Sequence, residues 1–136
     1  MSVVADSSAV VALLIADDPR HDAARAWYEH EPDDLVTTPL ALAEMDYVLR
    51  RRAGDPGQAA LWEALDSGAL HVRWWADGAR ESLAIVRDHP AVGLADASLV
   101  ALARLVRTDR IATFDTDFRS LTLPGGAPLI LLPADA

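Results

Sequence analysis

The 136-residue sequence predicts an α/β protein built on a parallel sheet, and three observations carry that expectation. Short apolar runs of strand length alternate with stretches of helical period along the whole chain, the pattern of a sheet covered by helices on both faces. Two of the runs end on an aspartate, Asp6 after residues 3–5 and Asp115 after residues 110–114. No internal repeat, linker or low-complexity tract divides the chain, so one domain over residues 1–136 is expected.

Each element has a local reason. Residues 3–5 are a continuous apolar run that suits a buried parallel strand. Ser7 or Ser8 then caps a helix over residues 9–16, which Asp17, Asp18 and Pro19 stop. Residues 21–31 read as an amphipathic helix through Ala24, Trp27 and Tyr28. The turn at Pro32, Asp33 and Asp34 leads to a strand over 35–37. Pro39 sits where a first helical turn tolerates it; that helix carries Glu44, reaches Arg50, Arg51 and Arg52, and closes at Gly54. Asp55 and Pro56 open a further helix to about Ser67, followed by a strand over 70–74. Asp77 is the expected cap of a helix ending near Asp88, where His89 and Pro90 break the chain. Residues 94–107 are helical, 110–114 form a strand, and 129–132 a last one after the Pro124, Gly125, Gly126 turn.

Composition excludes several classes. There is no cysteine, hence no disulfide, thiolate zinc site or Cys nucleophile. All 12 basic residues other than histidine are arginine, so lysine chemistry is absent as well. The N-terminus lacks a basic region followed by a long apolar stretch, and no apolar run reaches the ~18 residues of a membrane span, so a cytoplasmic protein without a membrane partner is expected. A net charge of −9 argues against nucleic acid as a partner, unless the acids are filled by a cation that no longer repels phosphate.

Four acids lie at the ends or on the apolar faces of hydrophobic segments: Asp6, Glu44, Asp96 and Asp115. Functional groups in parallel α/β sheets gather beyond the carboxyl ends of the strands, which places Asp6 and Asp115 in one crevice. Glu44 shares its helical face with Leu40, Ala41, Tyr47 and Val48 and is expected to be buried. Asp96 precedes Leu99, Val100 and Ala103 on the side of its helix that must be buried. Two like charges ~4 Å apart repel by about 4 kcal/mol at an effective dielectric of 20, so four ionised carboxylates cannot share a bare pocket. A hard divalent cation, Mg2+ or Mn2+, resolves the conflict and generates a nucleophile from bound water.

Plainer roles compete at each position. Asp6 also reads as a helix cap, and Asp96 as an acid favoured by the helix dipole. Asp117 is a further outer ligand or, the preferred reading, the cap of a turn leading to Phe118. Ser7 and the Thr113 hydroxyl are supporting groups near the crevice. Asp46 is expected to pair with Arg50 on the surface. Arg50 and Arg51 could meet RNA phosphates, while the duller account has the arginine run complementing its helix dipole. The four tryptophans are expected in the core or an interface rather than in base stacking.

Together and in this order, the motifs VVADSSAVVALL, LALAEMDYVLRR, GLADASLVALA and IATFDTDF resemble the PIN-domain family, and specifically the VapC-type toxins of bacterial toxin–antitoxin pairs. The resemblance implies a PIN-like three-layer α/β/α fold with a mostly parallel five-stranded sheet. It further implies an Mg2+- or Mn2+-dependent endoribonuclease whose carboxylates are Asp6, Glu44, Asp96 and Asp115, usually a homodimer. A small VapB-like antitoxin whose peptide occupies the acidic groove would hold it inactive. Family members vary at the position of Asp117. A phosphoaspartate protein, whether receiver domain or haloacid-dehalogenase-like phosphatase, needs a lysine this chain lacks. The remaining alternative is a PIN-like module that binds protein or RNA without turnover.

Overall fold

The computed structural model describes residues 1–136. Five strands, β1 (Ser2–Ala5), β2 (Asp34–Thr37), β3 (Leu70–Val72), β4 (Arg110–Ala112) and β5 (Ile130–Leu132), form one sheet in the order β3-β2-β1-β4-β5. Every pairing is parallel. Five helices, α1 (Ser7–Leu14), α2 (His21–Tyr28), α3 (Pro39–Ser67), α4 (Gly78–Asp88) and α5 (Leu94–Val106), supply the crossovers from β1 through β4, and two 3-10 turns lie between β4 and β5. The expected α/β architecture is what the chain forms.

Its central strand is its most apolar. Val3, Val4 and Ala5 have no exposed surface, and Leu99, Val100 and Leu102 of α5 are equally enclosed. Strand order reverses direction at β1, which has β2 on one side and β4 on the other; the crevice beyond their carboxyl ends is the topological switch point. Asp6 and Asp115 follow those two strands. The Asp6 N–H donates to the Ala112 carbonyl at 2.9 Å, stitching the two ends together.

The long helix α3 is two helices folded back on each other. Gly54 has φ +63° and ψ −150°, outside helical space, so the chain breaks there, at the position expected from Gly54 to Pro56. Asp46 of the first half accepts hydrogen bonds from Gln58 (2.9 Å) and Trp62 (3.2 Å) of the second. Gly57 permits this approach: a Cβ there would lie 2.8 Å from the Leu49 carbonyl oxygen and 2.7 Å from the Ala53 Cβ.

Several local expectations need correction. Strands β3 and β4 end two residues early, at Val72 and Ala112, although the Thr113 N–H still reaches the Leu132 carbonyl at 2.9 Å. Asp77 makes no capping hydrogen bond to α4, because its carboxylate pairs with Arg80 at 2.9 Å. Asp46 does not pair with Arg50; the second half of α3 claims Asp46, and Arg50 turns to Asp55 and Gln58. Trp27 and Trp75 pack on the core, whereas Trp62 and Trp74 are substantially exposed.

Two ion-pair networks brace the frame. Buried Asp18 binds Arg52 at 2.8 Å and the Arg20 backbone N–H at 2.8 Å, joining the segment after α1 to α3. Burial pushes its carboxyl up, but the Arg52 and Arg20 hydrogen bonds outweigh it and hold the group below the usual range. Arg110 makes two hydrogen bonds to Glu31 and one to Asp33, clamping the start of β4 to the turn before β2. No helix is long and apolar enough to cross a membrane.

Candidate functional site

Asp6 occupies the N-cap position of α1 with extended backbone but makes no capping bond with its side chain. Its carboxylate, 4 % exposed, accepts from the Thr113 hydroxyl at 2.7 Å and the Ser8 hydroxyl at 2.8 Å. The Ser8 hydroxyl accepts in turn from the Phe114 N–H at 2.9 Å, and that of Thr113 from the Asp115 N–H at 2.9 Å. Each hydroxyl thus receives a backbone proton and passes its own to Asp6. The network fixes the carboxylate against the loop after β4, and it leaves the caps proposed for Ser7 and Ser8 unused.

Ser7 is nearly buried and donates to the Glu44 carboxylate. Glu44 itself is exposed, contrary to the expected burial, because only part of its helical face meets the core: Ala41 is buried while Tyr47 stands in solvent. Its helix is aimed by Thr38, whose hydroxyl accepts from the Ala41 N–H at 3.3 Å and meets the Ser98 hydroxyl at 2.7 Å. Ser98 bonds the Ala95 carbonyl at 2.6 Å, so this buried pair joins the start of α3 to the start of α5. Sequence reasoning missed it. A threonine before Pro39 was the available signal, as an N-cap ahead of an N1 proline.

Asp96 lies in the first turn of α5, half-buried. Burial pushes its carboxyl up to about 7, and the negative charges of Asp6, Asp115, Glu44 and Asp117 add to the shift in that order. Asp6, Asp115, Glu44 and Asp117 therefore all lie near enough to Asp96 for their charges to act on its carboxyl. Asp115 caps the 3-10 turn Thr116–Ser120, its Oδ1 accepting from the Asp117 N–H at 2.9 Å. The preferred reading of Asp117 as the cap is overturned, since the preceding acid has the extended backbone that an N-cap requires.

None of these five carboxylates belongs to an ion pair; every ion pair in the molecule lies elsewhere. No three acids or histidines are drawn tightly enough together to grip one ion as they stand. The donor set is nonetheless the right one for a hard cation: carboxylate and hydroxyl oxygens only, with no nitrogen or sulfur among them. An apolar cleft bounded by Val10, Leu13, Tyr28, Leu35 and Leu70 shares no residue with this site.

The PIN domain model matches residues 3–122. The chain belongs to the PIN domain family. It is 31 % identical over 135 residues to Ribonuclease VapC26 of Mycobacterium tuberculosis, covering 96 % of this chain and all of that relative. Among solved structures it resembles Mycobacterium tuberculosis VapC20, described as a Sarcin-Ricin loop cleaving toxin. That match has a TM-score of 0.80 and 25 % identity over 87 % of this chain and 93 % of the other. A toxin–antitoxin complex from Klebsiella pneumoniae shares the fold at TM-score 0.68 and 21 % identity, covering 90 % and 93 %. So does VapBC2 of Rickettsia felis bound to a promoter DNA fragment, at TM-score 0.69 and 14 % identity, covering 96 % and 98 %. Within the PIN domain family, the chain groups with the VapC ribonucleases.

Proposed function

We propose that this chain is the toxin of a toxin–antitoxin pair, a cytoplasmic endoribonuclease that hydrolyses RNA phosphodiester bonds with Mg2+ or Mn2+ held by Asp6, Glu44, Asp96 and Asp115. The observation that carries this reading is the gathering of Asp6, Glu44, Asp115 and Asp117 about half-buried Asp96, which is raised to about 7, with no basic side chain paired to any of the five. A divalent ion supplies two things when bound: polarisation of the phosphodiester and a water acidic enough to ionise near neutral pH. The chain's residues do the rest. Ser8 and Thr113 hold Asp6 in one orientation, ready to accept rather than to rotate. Ser7 restrains the exposed Glu44. Asp96, with its carboxyl at about 7, would be the group to give up a proton on ion binding, and Asp117 would add charge at the edge.

The VapC relatives support an antitoxin partner of VapB type, and the net charge of −9 favours a basic segment of that partner over the acidic crevice. A homodimer remains part of the reading.

Mg2+-dependent cleavage of RNA by the wild-type chain and by Asp6→Asn and Asp96→Asn tests it. The wild type should cleave and both variants should lose at least 100-fold in rate, an effect on the order of 3 kcal/mol. Cleavage by wild type that persists in both variants, or no cleavage by any of them, would reduce the chain to a binding module. Growth arrest on expression should also vanish with Glu44→Gln while the fold survives, since Glu44 supports no core contact.

A further inference from the structure

The three consecutive arginines of α3 have different fates. Arg50 is bound to Asp55 and Gln58, and Arg52 to buried Asp18. Arg51 meets no carboxylate. Its guanidinium lies 5.7 Å from the centre of the Tyr47 ring and donates to the Tyr47 hydroxyl at 3.1 Å. Tyr47 is 61 % exposed, an unusual position for an aromatic ring that has apolar neighbours to bury against.

Tyr47 and Arg51 follow Glu44 by three and seven residues, so the three side chains form one stripe along the helix, leading outward from the acidic crevice. Trp62, also exposed, does not share this role, because its N–H is given to Asp46 across the hairpin.

The geometry points to Tyr47 and Arg51 as a platform for single-stranded RNA beside the crevice, an inference that rests on the ribonuclease reading. A base flanking the scissile phosphate stacks on the Tyr47 ring, and Arg51 pairs with the adjoining phosphate. Stacking needs an exposed, immobilised aromatic face, and the guanidinium bond to the hydroxyl provides the immobilisation. In a chain of net charge −9, an arginine with no acid attached is also a suitable place for phosphate to land near an acidic site.

The test is equilibrium binding of a fluorescein-labelled random-sequence single-stranded RNA pool to the Asp96→Asn protein, which does not consume it, with Mg2+ present. Adding Tyr47→Ala should weaken binding roughly 5- to 150-fold, the range for loss of one stacked base. Tyr47→Phe, which keeps the ring but loses the hydroxyl that Arg51 holds, should weaken binding by less than Tyr47→Ala does. Arg51→Ala should weaken binding and reduce the slope of log affinity against log salt by about 0.7. In otherwise wild-type protein, Tyr47→Ala should raise KM more than it lowers kcat. Unchanged RNA affinity in Tyr47→Ala overturns the inference. So does unchanged affinity accompanied by a shift to smaller species in sedimentation, which would assign the patch to a contact between copies of the chain. The ribonuclease reading fails separately, through absence of cleavage by the unsubstituted chain.

Discussion

Replacing Asp96 by asparagine is expected to stabilise the metal-free protein at alkaline pH while destroying cleavage. The carboxyl of Asp96 is raised from 3.8 to about 7, first by burial and then by the charges of Asp6, Asp115, Glu44 and Asp117. An acid whose folded-state value exceeds its unfolded value binds more protons when folded. Its contribution to stability is therefore full below about pH 4 and is lost as pH rises towards 7, the reverse of a salt-bridged carboxylate. A shift of about three units corresponds to about 4 kcal/mol. Asp96 is only half-buried, so solvent screening reduces this to about 2 kcal/mol, and the favourable helix-dipole position forfeited by asparagine takes back about 0.5 kcal/mol.

The net expectation is a gain of about 1–2 kcal/mol for Asp96→Asn at pH 8 in EDTA, which for a chain of this size raises Tm by roughly 3–7 °C. At pH 4 the two proteins should unfold together to within about 0.5 kcal/mol, because wild-type Asp96 is then already neutral. Millimolar Mg2+ at pH 8 should close the gap by raising the wild type alone. Urea unfolding followed by far-ultraviolet circular dichroism at the two pH values measures all three. A variant less stable than wild type at pH 8 without divalent ions would refute the convergence of the carboxylates on Asp96.

Three further outcomes follow from single contacts. Thr113→Val removes one of the two hydroxyl donors that orient Asp6 and should weaken Mn2+ affinity by about 10- to 100-fold, read by titration calorimetry, with little loss of fold. Arg110→Met strands Glu31 and Asp33 and should cost about 2–4 kcal/mol in urea unfolding at pH 7. Burial raises the Glu31 carboxyl, but the Arg110 hydrogen bond and charge pull it below the usual range, so this contribution should fade as pH falls below about 4. Gly57→Ala drives a methyl group against the Leu49 carbonyl and should cost about 1–3 kcal/mol, whereas alanine at Gly93, where a Cβ meets nothing, should cost no more than about 0.5 kcal/mol.

Much of the fold was legible because its signals are local. Val3, Val4 and Ala5 read as a buried strand from three consecutive apolar residues, and the Gly54, Asp55, Pro56 sequence announced the break in α3. Strand ends were less legible. Residues 113–115 continue the composition of a strand, but their backbone groups serve Leu132, Ser8 and Thr113 in turn, so hydrogen bonding ends the ladder where composition does not. The return of the second half of α3 onto the first depends on Asp46 meeting residues twelve and sixteen positions later, a separation that helical periodicity cannot report.

The acidic cluster was legible for a different reason. A carboxylate on a segment that is otherwise apolar is costly wherever it ends up, so Asp6 and Asp96 stand out in the sequence without any knowledge of their neighbours. The hydroxyls that organise them do not, because Ser8, Thr38, Ser98 and Thr113 are cheap to place almost anywhere and show their purpose only through partners up to 107 positions away. Glu44 shows the limit of the cost argument: its apolar neighbours suggested burial, yet it is exposed and takes its orientation from Ser7. An exposed acid can leave a site freely, and a buried one cannot. Asp6 is therefore fixed in place, Asp96 holds its position on α5 but carries a charge that depends on pH, and Glu44, with Ser7 as its side-chain partner, would be the member free to move inward on ion binding.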